Sequence, residues 1–160
     1  LGYFQEKKHF INKSLNIITE SLIDYLELRS HIIPNKKVVG FHIRGGDFMK
    51  EINNKNIEKR PNFNLLKFFF EKYTKENINF FIITNDKNLI KNSQFNLDQN
   101  VIFSSKELDD FKKLIQCNLM YVSQSTFCFW AYIISKKLHN CEVINFDNWI
   151  YRDLINSDQF

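Results

Sequence analysis

Val38-Val39-Gly40-Phe41-His42-Ile43-Arg44-Gly45-Gly46-Asp47 is an apolar run that stops abruptly at His-x-Arg and two of the chain's four glycines. Val38 to Ile43 has the length and β-branched content of a buried strand. Gly45-Gly46 permits a sharp turn, or a close approach of backbone to ligand where a Cβ would clash. Arg44 is thereby placed at the carboxyl edge of a sheet, where open α/β folds bind nucleotides. Its guanidinium is charged at any physiological pH and offers a rigid fork of donors to phosphate oxygens. For the decapeptide alone, a strand end with a solvated arginine and a glycine turn is the alternative reading.

Outward from this strand, helical and extended patterns alternate. Leu15, Ile18, Leu22, Ile23 and Leu26 predict a helix within Phe10 to Ile32, ending before Pro34. Phe48 to Arg60 is polar, Asn-rich and without period, and reads as a loop over the site. Leu66, Phe69, Phe70 and Tyr73 fall at i, i+3, i+4 and i+7, an amphipathic helix. Ile78 to Thr84 and Val101 to Ser104 read as strands, and Leu108, Phe111, Leu114, Ile115 and Asn118 as a helix. Met120 to Val122 is a strand, Phe127, Trp130, Ala131, Ile134 and Leu138 a helix, and Val143 to Phe146 a last strand. The alternation predicts an α/β fold, a Rossmann-like parallel sheet with flanking helices.

The 160 residues, 44% hydrophobic and 25% charged, suffice for one soluble globular domain with a proper core. The expected division is a lead-in helix segment over 1–34, an α/β core over 35–150 and a tail over 151–160. The patterned start at Leu1 predicts the carboxyl-terminal part of a longer polypeptide, with an amino-terminal lobe missing. Seventeen Phe and six Tyr against two Pro fit the coding bias of an AT-rich genome, which raises aromatic counts without any function. The formal charge of +4 comes from dispersed pairs such as Lys36-Lys37, Lys112-Lys113 and Lys136-Lys137. That dispersal argues against a nucleic-acid partner, while the mild positive balance suits a phosphate-bearing substrate. Cys117, Cys128 and Cys141 sit in apolar sequence without a C-x-x-C pair, and read as buried reduced thiols of a cytoplasmic protein. No stretch approaches the ~20 apolar residues of a membrane span.

Three strand ends carry polar groups: His42-x-Arg44-Gly45-Gly46-Asp47, Thr84-Asn85-Asp86 and Ser123-x-Ser125-Thr126. In a parallel sheet they share one edge and could line one pocket. Ser125 and Thr126 would lie at the amino end of the Phe127 helix, where free N–H groups and the helix dipole favour an anion. Plain N-capping is the alternative. His42 could hydrogen-bond a base, a ribose or a phosphate, or be a satisfied strand-end histidine. Asp47 could orient Arg44 or fix the loop, and Asp86 could bind ligand or cap the following segment. No serine triad, Walker loop or metal-ligand cluster is present, so no metal is expected.

In this order the segments resemble the α-1,2-fucosyltransferases of glycosyltransferase family 11, nearly end to end. Gly2-Tyr3-Phe4-Gln5 is similar to the family's G-Y-F-Q, and His42 to Asp47 matches H-x-R-R-G-D in all but one position. Phe81 to Asp86 resembles F-x-x-F-S-D-D, and Asp110 to Trp130 resembles D-x-x-L-x-x-C followed by S-x-S-T-F-S-x-W. Asn145 to Trp149 is similar to the final strand and its P-x-x-W. The resemblance implies the donor-binding lobe of a GT-B-type enzyme. Such an enzyme moves fucose from GDP-fucose to the 2-hydroxyl of a galactose-like acceptor, inverting the anomeric centre without a metal. It further implies surface-glycan synthesis at the cytoplasmic face of a bacterial membrane, with peripheral association there.

Carried over by position, Arg44 is the catalytic residue, gripping the β-phosphate and stabilising charge as GDP leaves. His42, Gly45, Gly46, Asp86, Ser123, Ser125 and Thr126 complete the expected donor-binding set, with Asp47 orienting the loop. One departure matters: the second Arg of the signature is Gly45, whose missing cation would cost on the order of 2 to 4 kcal/mol in the transition state. Thr84-Asn85 also replaces the usual Ser-Asp. A transferase using another nucleotide sugar, and a non-catalytic nucleotide-binding remnant, are the alternatives these departures leave open.

Overall fold

A computed structural model of the chain describes residues 12–30, 37–45, 63–76, 78–86, 88, 101–103, 106–123 and 125–144. Strands β1 (Val38–Ile43), β2 (Asn79–Thr84), β3 (Val101–Phe103), β4 (Leu119–Tyr121) and β5 (Glu142–Ile144) form one sheet in the order β3-β2-β1-β4-β5. Every neighbouring pair is parallel, as the strand and helix alternation predicts. Helices α1 (Asn12–Tyr25), α2 (Phe63–Lys75), α3 (Glu107–Ile115) and α4 (Thr126–His139) flank it, so the fold is α/β and Rossmann-like. The expected loop over 48–60, the Leu1–Phe10 segment and the Asn145–Trp149 segment lie outside the described residues.

A strand of period two inside a parallel sheet must bury both faces. On one face Val39, Phe41, Ile43, Ile82, Leu119, Tyr121 and Ile144 cluster with Tyr73 of α2. Phe41 is the hub, stacked on Tyr121 at 5.8 Å and edge-on to Phe80 at 6.3 Å. The other face carries Ile83, Met120 and Val122 against α1, α3 and α4. Gly40 points there, and a Cβ on it would lie 2.4 Å from Cys117 Sγ, so the missing side chain is what lets the end of α3 close on β1.

Helix α4 is buried all round from Cys128 to Ser135, which fits its apolar sequence on every side. It ends at Asn140, whose φ of 61° is left-handed and whose N–H returns to Lys136 O at 2.9 Å. Cys117, Cys128 and Cys141 are free and buried, and burial pushes the Cys128 thiol up to about 12 and Cys141 up to about 11. Asn118 joins the amino ends of three strands. Its Oδ1 accepts from Val38 N at 2.9 Å, its N donates to Val38 O, and its O accepts from Glu142 N.

Three helix readings are corrected. Helix α1 ends at Tyr25, because Glu27 takes a left-handed φ of 54° and its N–H turns back to Asp24 O, well before Pro34. Ile18 is exposed and Thr19 occupies the buried slot between Leu15 and Ile23, its hydroxyl donating to Leu15 O at 2.7 Å. On α3, Leu108 is exposed and Asp110 buried, and Asn118 lies past the end of the helix, immediately before β4. Among the described residues no helix is long and apolar enough to cross a membrane.

Candidate functional site

Because β2 and β3 lie on one side of β1 while β4 and β5 lie on the other, the chain reverses its direction across the sheet between β1 and β4. Loops leave a sheet in opposite directions at such a switch point, opening a crevice beyond the carboxyl ends of the strands. His42 on β1 reaches across it. Its Nδ1 lies 2.5 Å from Ser123 Oγ, just past β4, and its ring stacks on Phe127 at 5.2 Å. Phe127 is braced edge-on by Phe111 of α3 at 5.3 Å. Burial, and secondarily the Arg44 charge, hold the His42 pKa down to about 4, so the imidazole is neutral near pH 7.

An open cleft of about 300 Å³ occupies this crevice. Strand β1 gives it His42 and Arg44, the end of β2 gives Ile83 and Asn85, α3 gives Glu107 and Asp110, and the start of α4 gives Ser125 and Phe127. With His42 neutral, Arg44 is the one cation among these eight side chains. A fixed guanidinium at the mouth of a strand-end crevice suits an anionic ligand.

Two buried side chains that line the cleft each carry a polar atom without a partner. Ser125 is 2% exposed and stands at the N-cap of α4, yet its Oγ makes no capping bond and has no other partner. The capping reading therefore does not describe the Ser125 side chain. Asp110 is 3% exposed and its Oδ2 likewise lacks a partner. Buried polar atoms are nearly always satisfied, and each orphan costs about 1–3 kcal/mol, so two of them on residues that line one cleft single it out as the candidate ligand site.

The structure sorts the expected site residues. His42, Arg44 and Ser125 line the cleft together, and Ser123 stands behind His42. Gly45 follows Arg44 without lining the cleft. Its N–H donates to Asn85 Oδ1 at 2.8 Å, and a Cβ there would fall 2.4 Å from the Asp86 Cβ. Asp86 Oδ1 accepts from Asn88 N at 3.0 Å, which favours the capping alternative for that side chain. Thr126 opens α4 without lining the cleft. Gly46 and Asp47 lie outside the described residues. Sequence reasoning missed Asp110 and Glu107, although an acidic residue on an apolar helix stripe beside Phe111 and Leu114 was a usable signal. Among the described residues, no group of three or more His, Cys, Asp or Glu side chains could hold a metal ion.

No curated protein matches the chain at a meaningful level. The sequence model of glycosyl transferase family 11 matches residues 1–152. That span takes in every strand and helix described above, along with the crevice they build. The chain therefore belongs to glycosyl transferase family 11, glycosyltransferases that take a sugar from a nucleotide-sugar donor to a glycan acceptor.

Proposed function

We propose that the chain is the donor-binding lobe of a fucosyltransferase that uses GDP-fucose, acts on the 2-hydroxyl of a galactose-like acceptor and inverts the anomeric centre without a metal. The observation that carries the donor assignment is the unpartnered Asp110 Oδ2 in the cleft. A carboxylate is an acceptor only, and guanine presents two adjacent donors, N1–H and the N2 amino group, on a single edge. Uracil offers one imide N–H there, and adenine sets an acceptor beside its amino group. Asp110 therefore favours guanine over both. Phe127, locked between His42 and Phe111, gives the base an aromatic wall.

In this reading Arg44 grips the diphosphate. The acceptor oxygen attacks C1 of fucose, the bond from C1 to the β-phosphate oxygen breaks with its electron pair leaving on GDP, and the hydroxyl proton passes to a base. Charge grows on the diphosphate oxygens in the transition state, and a preoriented guanidinium stabilises that growth. His42, neutral and hydrogen-bonded to Ser123, adds no second positive charge, so the burden on Arg44 is greater where Gly45 replaces the signature's second arginine. The same reading has an amino-terminal lobe complete the catalytic cleft and places the enzyme at the cytoplasmic face of a bacterial membrane, in surface-glycan synthesis.

Calorimetric titration of GDP, GDP-fucose, UDP and ADP, first without metal and then with magnesium, tests the donor. Metal-independent binding of the guanine nucleotides, weakened about tenfold to a hundredfold in Asp110→Asn, is the expected result. Preference for UDP would move the chain to another sugar donor, and binding of none of the four would favour the non-catalytic remnant.

A further inference from the structure

Strand β1 loses its backbone support before it reaches Arg44. On one side its register with β4 stops at Phe41 and Tyr121, and on the other its register with β2 stops at Ile43 and Thr84. Arg44 and Gly45 therefore lie past the last paired residues, and a strand end without ladder bonds is where local opening starts. The hydrogen bond that follows is made by a side chain: the Gly45 N–H, on a buried residue, donates to Asn85 Oδ1 at 2.8 Å. Asn85 is the first residue after β2, so its side-chain carbonyl prolongs the ladder of β1 and β2 by one step.

This added bond is itself braced. Thr84, 1% exposed, accepts from Asp86 N through its Oγ1 at 3.2 Å, and Asp86 Oδ1 accepts from Asn88 N at 3.0 Å. Bonds of this kind hold a turn in shape, here on both sides of Asn85. The peptide plane that carries the Gly45 N–H also carries the Arg44 carbonyl, so pinning one orients the other. Arg44 is thus held from before by the ladder at Ile43 and from after by Asn85, which sets the direction in which its side chain leaves the backbone. A long cationic side chain already gives up rotamer freedom when it grips an anion, and a backbone that wandered as well would raise that cost. We infer that Asn85 is a positioning residue, which aims Arg44 at the diphosphate of the donor by holding the Gly45 amide and does not itself touch the donor. The inference rests on the reading of Arg44 as the group that grips the diphosphate.

Asn85 also lines the cleft, so direct contact with the ligand is the competing role, and a double-variant cycle separates the two. GDP and GMP are titrated into the chain, into Asn85→Ala, Asn85→Ser and Arg44→Ala, and into the variant that combines Asn85→Ala with Arg44→Ala. Thermal unfolding of each is recorded without nucleotide. Hydrogen exchange at the Gly45 amide is followed by NMR in the unaltered chain, in Asn85→Ala, in Asn85→Ser and in Asn85→Asp. The preference for GDP over GMP reads the grip on the β-phosphate. It should fall about tenfold or more in Arg44→Ala and about fivefold in Asn85→Ala, with GMP affinity in the latter changed by less than about twofold. Adding Asn85→Ala to Arg44→Ala should lower the preference no further. The Gly45 amide should exchange about tenfold faster in Asn85→Ala and Asn85→Ser, and stay protected in Asn85→Asp, which keeps an acceptor in place. Asn85→Ser withdraws the acceptor but leaves room for water at the Gly45 amide, so it carries the test if Asn85→Ala does not fold. Unchanged exchange at Gly45 overturns the inference. So does faster exchange with an unchanged preference for GDP, which would leave Asn85 a purely structural residue. Effects that add in the combined variant overturn it too, since Asn85 would then meet the ligand directly. If Arg44→Ala keeps the full preference, or neither nucleotide binds, the diphosphate reading fails and the inference falls with it.

Discussion

The two edges of the sheet use polar side chains in opposite ways. At the amino edge Asn118 is matched to Val38 and Glu142, and Ser135 Oγ donates to Cys117 O at 3.2 Å. His139 Nε2 lies 2.6 Å from Ile115 O, and His139 Nδ1 is the one orphan there. These groups fasten strands and helix ends to each other. At the carboxyl edge Asp110 Oδ2 and Ser125 Oγ are left without partners, on residues that line a cleft with an arginine. Apart from His139 Nδ1, folding satisfies these amino-edge groups with the chain's own atoms, while at the carboxyl edge two orphans sit on residues that line a cleft.

The sharpest way to break this contrast is Arg44→Ala. Transfer should fall by about 10²–10³-fold, since a donor aimed at developing charge contributes about 3–4 kcal/mol to the transition state. Stability in urea should move by less than about 1 kcal/mol. Full activity in that variant would remove the carboxyl edge from catalysis.

Acid should next weaken the same edge. His42 has its folded pKa lowered to about 4, against about 6.5 for a free imidazole. Between those values the unfolded chain binds the extra proton and the folded chain does not. Stability is therefore complete above pH 6.5 and declines as pH falls toward 4, by about 3 kcal/mol in total. His42→Gln should flatten urea midpoints measured across that window. An unchanged slope would mean that His42 is not buried neutral.

Asp110→Asn should cost about tenfold to a hundredfold in GDP affinity while moving the stability of the free protein by less than about 1 kcal/mol. A variant that loses stability and keeps affinity would turn Asp110 into a structural residue. Smallest is Asn118→Ala at the amino edge, expected to lower stability by about 1–2 kcal/mol with GDP affinity unchanged. Loss of affinity there would erase the distinction between the edges.

Much of the fold was legible because a strand buried on both faces needs an unbroken apolar run, which Val38 to Ile43 and Phe80 to Ile83 supply. The limits of the helices were less so. Glu27 in a left-handed turn has no marker in its side chain, and Thr19 enters the core only because its hydroxyl finds the Leu15 carbonyl. In the site, His42 and Arg44 could be placed from a strand that ends in glycine. Whether Ser125 caps its helix depends on where its side chain turns, and packing decides that. Asp110 is a surface residue by composition and a buried one by address, since its stripe on α3 also holds Phe111 and Leu114.

The close approach of Gly45 and Asp86 makes position 45 hard to substitute. Any side chain at 45 begins 2.4 Å from a Cβ, an atom that no rotamer change can move. Gly45→Arg by itself would not add a second arginine to this site, because the Asp86 side chain already occupies the space a Cβ would need and the Asn85 side chain holds the Gly45 amide. Any side chain at 45 therefore requires the loop after β2 to move, which couples position 45 to Asp86 in space.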